Sequence, residues 1–150
     1  MNLDTNRSRI DSATHTIHFE RTIDASPERV FDSWTKAENV SQWWDPSGKP
    51  LVACTIDLRV GGSFRFVTDG HAPPFEGTYK TLERPAKLVF EALGSVGTVS
   101  IEKRGGKTHL HVSIRCASAE HLAQFQKIGV DQGTNVTLDN LAAFAAKAPN

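Results

Sequence analysis

"LVACTIDLRVGGSFRF", residues 51–66, is where the chain changes its period. Before it, apolar residues recur at helical spacing; from here on they recur every second residue. Val52, Cys54, Ile56 and Leu58 alternate with Ala53, Thr55, Asp57 and Arg59, and "VGG" then turns the chain into Phe64 and Phe66. Successive side chains of a strand point to opposite faces, so the alternation predicts paired antiparallel strands with one dry face and one wet face.

The same period runs on. Phe75, Gly77 and Tyr79 alternate with Glu76, Thr78 and Lys80; Leu88, Phe90 and Ala92 follow "ERP"; Val99 and Ile101 follow "GSVG". Past the hairpin connection "KRGGK", Leu110, Val112 and Ile114 alternate with His109, His111, Ser113 and Arg115. Six successive strands with short connections predict an antiparallel meander. Upstream, "THTIHFERTID" (14–24) predicts one more strand, with Ile17, Phe19, Arg21 and Ile23 on one side. "ASPERVFDSWT" predicts a helix capped by Ser26, with Pro27 at its first position, Glu28 at its positive end and Val30, Phe31 and Trp34 as its stripe. A second short helix carries Ala37, Val40, Trp43 and Trp44 and stops at "DPSGKP".

Residues 118–147 return to helical spacing and predict one long helix. Ser118 caps it, with His121 in the place a capping-box glutamate would take, and Leu122, Phe125, Gly129, Gly133, Val136, Asn140 and Phe144 lie along one side. Such a helix must bury its stripe, and the dry face of the meander is the large surface available. The expected fold is α+β: a curved antiparallel sheet of about seven strands around a long C-terminal helix, with two short helices after the first strand. It spans residues 15–148 as a single domain, behind a loose polar tail at 1–14.

Composition narrows the function. Lysine plus arginine equals aspartate plus glutamate at 17 each, which leaves no positive field for a nucleic-acid backbone. No apolar run approaches the ~20 residues of a membrane span. The start "MNLDTNRSRIDSATH" does not read as a secretory signal, which points to the cytoplasm. Cys54 and Cys116 read as free buried thiols of a reducing compartment rather than metal ligands. His109 and His111 share one strand face at a chelating distance but point to solvent; His15 and His18 form no constellation, and His71 sits in the loop "DGHAPPFEG". Asp57, Glu76, Glu91 and Glu102 are scattered, not paired as acid–base hydrolysis requires. No nucleophile elbow, phosphate-cradling loop or metal set is present, so neither a cofactor nor a metal is expected.

In this order the segments resemble the helix-grip fold of the START-like (SRPBCC) superfamily. Within it they are similar to the branch related to the C-terminal domain of the activator of Hsp90 ATPase. The residues that carry the resemblance are "FERTIDASPERVFDSWT" and "VSQWWDP" for the opening strand and helices, "DLRVGGSFRF" (57–66) for the most distinctive hairpin, "FEGTYKTLERPAKLVF" (75–90) and "GGKTHLHV" (105–112) for the later hairpins, and "GVDQGTNVTLDNLAAF" (129–144) for the closing helix. Together they cover about residues 16–147; at Thr134 the chain departs from a position where members often carry tryptophan.

The resemblance implies a cavity between sheet and C-terminal helix, and an apolar or aromatic small molecule as its occupant. The expected lining is Trp43, Trp44, Phe64, Phe66, Phe75, Tyr79, Phe90, Leu110, Phe125, Gly129, Gly133 and Val136. Aromatic walls with few polar groups suit such a ligand, and equally suit a filled core. Gly129 and Gly133, one turn apart, each cost a helix about 1 kcal/mol against alanine, which either close helix–sheet approach or space for a ligand would explain. Val40 and Trp44 lie on one line of the second helix, so Trp44 is expected to anchor it and Trp43 to border the cavity mouth. Alternative functions are a co-chaperone-like protein meeting a chaperone through the wet face near Arg59, Arg65, His109 and Arg115, and a cyclase-like enzyme for an aromatic or polyketide-type substrate with His71 or Tyr79 as acid–base group.

Overall fold

The computed structural model describes residues 8–70 and 72–147. Their order is β1 (Arg9–Asp11), β2 (Thr16–Ile23), α1 (Pro27–Thr35), α2 (Ala37–Trp43), β3 (Ala53–Ile56), β4 (Ser63–Val67), β5 (Phe75–Glu83), β6 (Lys87–Ala92), β7 (Ser95–Arg104), β8 (Lys107–Arg115), α3 (Ala119–Lys127) and α4 (Val130–Lys147). The strands form one eight-stranded sheet in the order β1-β2-β8-β7-β6-β5-β4-β3. Every neighbouring pair is antiparallel, so the meander runs unbroken from β3 to β8 and the first long strand returns beside the last. This is the α+β helix-grip architecture expected from the sequence, with one strand more.

The extra strand is β1. Residues 1–14 are expected to be a loose tail, but Arg9, Ile10 and Asp11 pair with His18, Ile17 and Thr16. Edge pairing needs backbone groups rather than an apolar period, so it leaves no pattern to read. Residues 1–7 lie outside the described residues. The "GSVG" turn also moves: Leu93 and Gly94, with φ of 55° and 77°, make the reversal, and Ser95–Gly97 already belong to β7. Conversely β3 is only four residues long, and Val52 and Leu58 are exposed.

Helix ends follow their caps. Ser26 Oγ accepts from the Arg29 N–H at 3.1 Å, and Pro27 opens α1. Ser118 Oγ accepts from the His121 N–H at 3.1 Å while His121 Nδ1 accepts from the Ala117 N–H at 3.0 Å, so the imidazole closes the exchange that a glutamate usually makes.

The predicted single long helix is two. Ile128 ends α3, and Gly129, at φ 83°, takes the left-handed conformation in which helices commonly terminate on glycine. The Gly129 carbonyl then accepts from the Gly133 N–H at 2.8 Å and α4 starts afresh. The break resets the helical phase. The buried face of α4 is Thr137, Leu138, Leu141 and Ala145, not the Gly133–Val136–Asn140–Phe144 line.

That face packs on β2, against Ile17, Phe19 and Ile23, which are at most 1% exposed. Fully burying a side chain of this size contributes about 1.5–3 kcal/mol. Arg21 points to the same side and is 4% exposed. A buried guanidinium needs every donor answered. Its Nε meets Asp139 Oδ1 at 3.0 Å, Nη2 meets Asn135 Oδ1 at 3.0 Å and its carbonyl at 3.1 Å, and Nη1 meets the Glu20 carbonyl at 2.8 Å. The long helix is thus tied to the β2 half of the sheet.

Candidate functional site

Because α4 lies over β2, the β4–β6 half of the inner face is closed by α1 and the exit of α2 instead. Period two puts Phe64 and Phe66 of β4, Phe75 and Tyr79 of β5, and Leu88 and Phe90 of β6 on that face. Register brings them together: Phe66 opposes Phe75, Tyr79 opposes Phe90, and Phe64 opposes Gly77. Trp34 from α1 and Trp44 after α2 complete the lining. The Trp44 ring centre is 4.9 Å from both Phe66 and Phe75, and Phe64 lies 5.1 Å from Tyr79 and 5.5 Å, edge to face, from Phe90. These are ordinary aromatic-pair separations. The rings leave a gap of about 10 Å³, roughly the room of one water. Trp44, Phe75 and Phe90 are half-buried, so the cluster reaches the surface along them.

The two adjacent tryptophans exchange their expected roles. Trp43 is 1% exposed and its Nε1 donates to the Ser33 carbonyl at 2.9 Å; its ring stands edge-on to Trp34 at 4.9 Å. It is the anchor, and Trp44 lines the cavity. Trp43 pairs with fully buried Val40 at i,i+3, and the helix ends at Trp43. Trp44, as the capping residue, swings out toward β4 and β5. Helix α4 holds this exit by hydrogen bonds from Thr137 Oγ1 to the Trp44 carbonyl at 3.1 Å and from Asn140 Nδ2 to the Asp45 carbonyl at 3.4 Å.

Three polar side-chain atoms of the lining, on Trp34, Trp44 and Tyr79, have no hydrogen-bond partner among the described residues. The Trp34 Nε1–H is buried with no acceptor among the described residues. The Tyr79 side chain, 3% exposed, makes no hydrogen bond to any described residue. Burial pushes the Tyr79 hydroxyl up, and Cys54 beside it adds to the shift, so the group keeps its proton. That makes it a donor and a poor base. His71 lies outside the described residues.

Six of the twelve expected lining residues meet here: Trp44, Phe64, Phe66, Phe75, Tyr79 and Phe90. The others do not. Trp43, Leu110 and Phe125 are core, Gly129 is the helix break, Gly133 has open space around it, and Val136 is 43% exposed. The lining takes no residue from α3 or α4, because the apolar face of α4 is spent on β2. Trp34 and Leu88 were missed, although Leu88 shares the alternation of Phe90 and Trp34 the stripe of Phe31.

Elsewhere, the histidines of the outer face are less solvated than expected. His18 Nδ1 and His111 Nε2 are 3.0 Å apart with rings stacked at 5.1 Å, and His109 Nε2 is 3.0 Å from Glu20 Oε1. The pairing of β2 with β8 makes His18 and His111 diagonal neighbours, which no single strand reveals. Among the described residues no group of three or more His, Cys, Asp or Glu could hold a metal ion. A wider depression of about 430 Å³ lies beside the β6–β7 turn. Its carboxylates are already engaged, Glu76 with Arg65 at 2.8 Å and Glu91 with Lys80 at 3.7 Å. Among the described residues no helix is long and apolar enough to cross a membrane.

The sequence model for "Activator of Hsp90 ATPase homolog 1-like protein" matches residues 24–146. The chain belongs to this family. Among curated proteins no match was found. Solved structures agree with the AHSA1-like fold. A Rhodobacter sphaeroides protein superposes with a TM-score of 0.84 at 20% identity, covering 95% of this chain and 99% of its own. An Arthrobacter aurescens protein gives 0.84 at 20% identity, covering 97% and 94%. The AHSA1-like protein of Aeromonas hydrophila gives 0.71 at 27% identity, covering 86% and 90%.

Proposed function

We infer that the protein binds an apolar, aromatic small molecule between β4–β6 and the α1–α2 pair. The observation that supports this is the division of the inner face. The long helix covers the β2 half, while an aromatic wall on the other half meets Trp34 and Trp44 and reaches the surface at Trp44, Phe75 and Phe90. Apolar surroundings with few polar groups favour ligands of this kind. The present gap is smaller than any such ligand, so binding requires the half-buried rings to turn aside. Among the described residues no acid–base pair meets the cavity, so the reading is one of binding rather than turnover. Free Cys54 and Cys116 suit a reducing cytoplasm.

A chaperone partner is suggested by the family's description alone. Three of the outer-face groups that would serve it already have acidic neighbours: Arg59 with Asp57 at 2.9 Å, Arg65 with Glu76 at 2.8 Å and His109 with Glu20 at 3.0 Å. Amide chemical-shift mapping with a panel of small aromatic compounds separates the readings. Saturable shifts on β4–β6 and around Trp34 and Trp44 are expected. Absence of saturable shifts there, with outer-face shifts on adding an Hsp90-type chaperone, would overturn the small-molecule reading.

A further inference from the structure

We propose that the ligand is an aromatic carbonyl compound whose oxygen is received by the Trp34 N–H and the Tyr79 O–H. This deepens the small-molecule reading and rests on it. Apart from the indole N–H of half-buried Trp44, Trp34 and Tyr79 bring the only polar side-chain atoms of the described lining, since the remaining residues are phenylalanines and Leu88. An indole N–H can only donate. The Trp34 N–H is buried with no acceptor, and a buried donor left unpaired is costly. Tyr79 retains its proton and donates as well. Two donors ask for an acceptor with two lone pairs, which a carbonyl oxygen supplies. Among the described residues no lysine, arginine or histidine belongs to the lining, so a carboxylate or phosphate would be buried there without a counter-charge from them. The acceptor is therefore neutral, and the seven aromatic rings select the frame that carries it.

The test is a matched pair: acetophenone and α-methylstyrene, which have nearly the same shape but differ in C=O against C=CH₂. A purely apolar cavity prefers α-methylstyrene, because the ketone loses its hydration without replacement. Donors in the cavity reverse the order. Titration of the full chain, followed by amide shifts at the cavity residues, should show acetophenone binding roughly five- to tenfold more tightly. Trp34→Phe, and independently Tyr79→Phe should one variant not fold, should bring the ratio of the two affinities toward or below one. If both probes bind and α-methylstyrene is equal or preferred in the parent protein, the donor assignment is wrong and the cavity stands. A ratio unchanged in both variants would also overturn the assignment. If neither probe shifts the cavity residues, the small-molecule reading fails with it.

Discussion

The ring of Phe90 lies across Gly97, its register partner on β7. A Cβ at Gly97 would run into three carbons of that ring, so the glycine is what lets Phe90 lie down along the sheet. Phe64 lies the same way over Gly77, where a Cβ would meet both the ring and the Glu91 carbonyl. Cross-strand glycines thus set the height of the aromatic wall.

Alanine at these two positions should not cost the same. At Gly97 the three atoms nearest the methyl all belong to the half-buried Phe90 ring, which can lift toward solvent. At Gly77 it meets backbone and a buried ring, so Gly77→Ala should carry the upper part of the overpacking range of about 1–3 kcal/mol and Gly97→Ala the lower part. Denaturant unfolding of the two variants measures this; a costlier Gly97→Ala would contradict it.

Trp43 and Trp44 should separate stability from binding. Trp43→Ala removes a buried ring and strands the Ser33 carbonyl, and should cost about 3–5 kcal/mol. Trp44→Ala should cost clearly less and change the affinity for aromatic probes. Equal losses of stability, with probe affinity untouched, would make both rings ordinary core.

Gly129 and Gly133 should respond with opposite signs. Gly129 sits at φ 83°, where a side chain costs about 1–2 kcal/mol, so Gly129→Ala should destabilise. Gly133 has nothing within 4 Å of an added Cβ, so Gly133→Ala should raise stability by up to about 1 kcal/mol through helix propensity. Thermal melts of both variants decide the point. The open space at Gly133 lies away from the aromatic lining, so this gain bears on the helix and not on ligand binding.

Stability should fall on mild acidification through His18 and His111. Both titrate below the ordinary value of 6.5. Burial is the first cause for each; Arg9 adds to it for His18 and the His18 ring for His111, while Glu20 opposes in both and Asp11 in His18. Their 3.0 Å contact needs one ring neutral to accept. The unfolded chain takes up these protons near 6.5 and the folded chain only at lower pH, so the unfolded state binds more protons between the two. The stabilisation is therefore present above pH 6.5 and is lost as pH falls toward the folded values. Unfolding midpoints between pH 7.5 and 5.5 should drop in the parent protein and drop less in His111→Asn. Parallel slopes would refute the coupling.

Alternation and helical spacing determined the meander, the two short helices, the caps at Ser26 and Ser118, and the placing of Phe64, Phe66, Phe75, Tyr79 and Phe90 on one face. These are local repeats, set by 2.0 or 3.6 residues per turn, and a side chain cannot leave its face without breaking them. Three things were decided only in three dimensions. The left-handed turn at Gly129 shifted the phase of α4, which moved Gly133 and Val136 off the buried face; spacing counted across a break carries no phase. The swap of Trp43 and Trp44 followed from where α2 stops against Ser33 and α4. The unanswered N–H of Trp34 appeared only when α1 met β4–β6, because whether a donor finds an acceptor depends on residues far away in the chain, and no period records that.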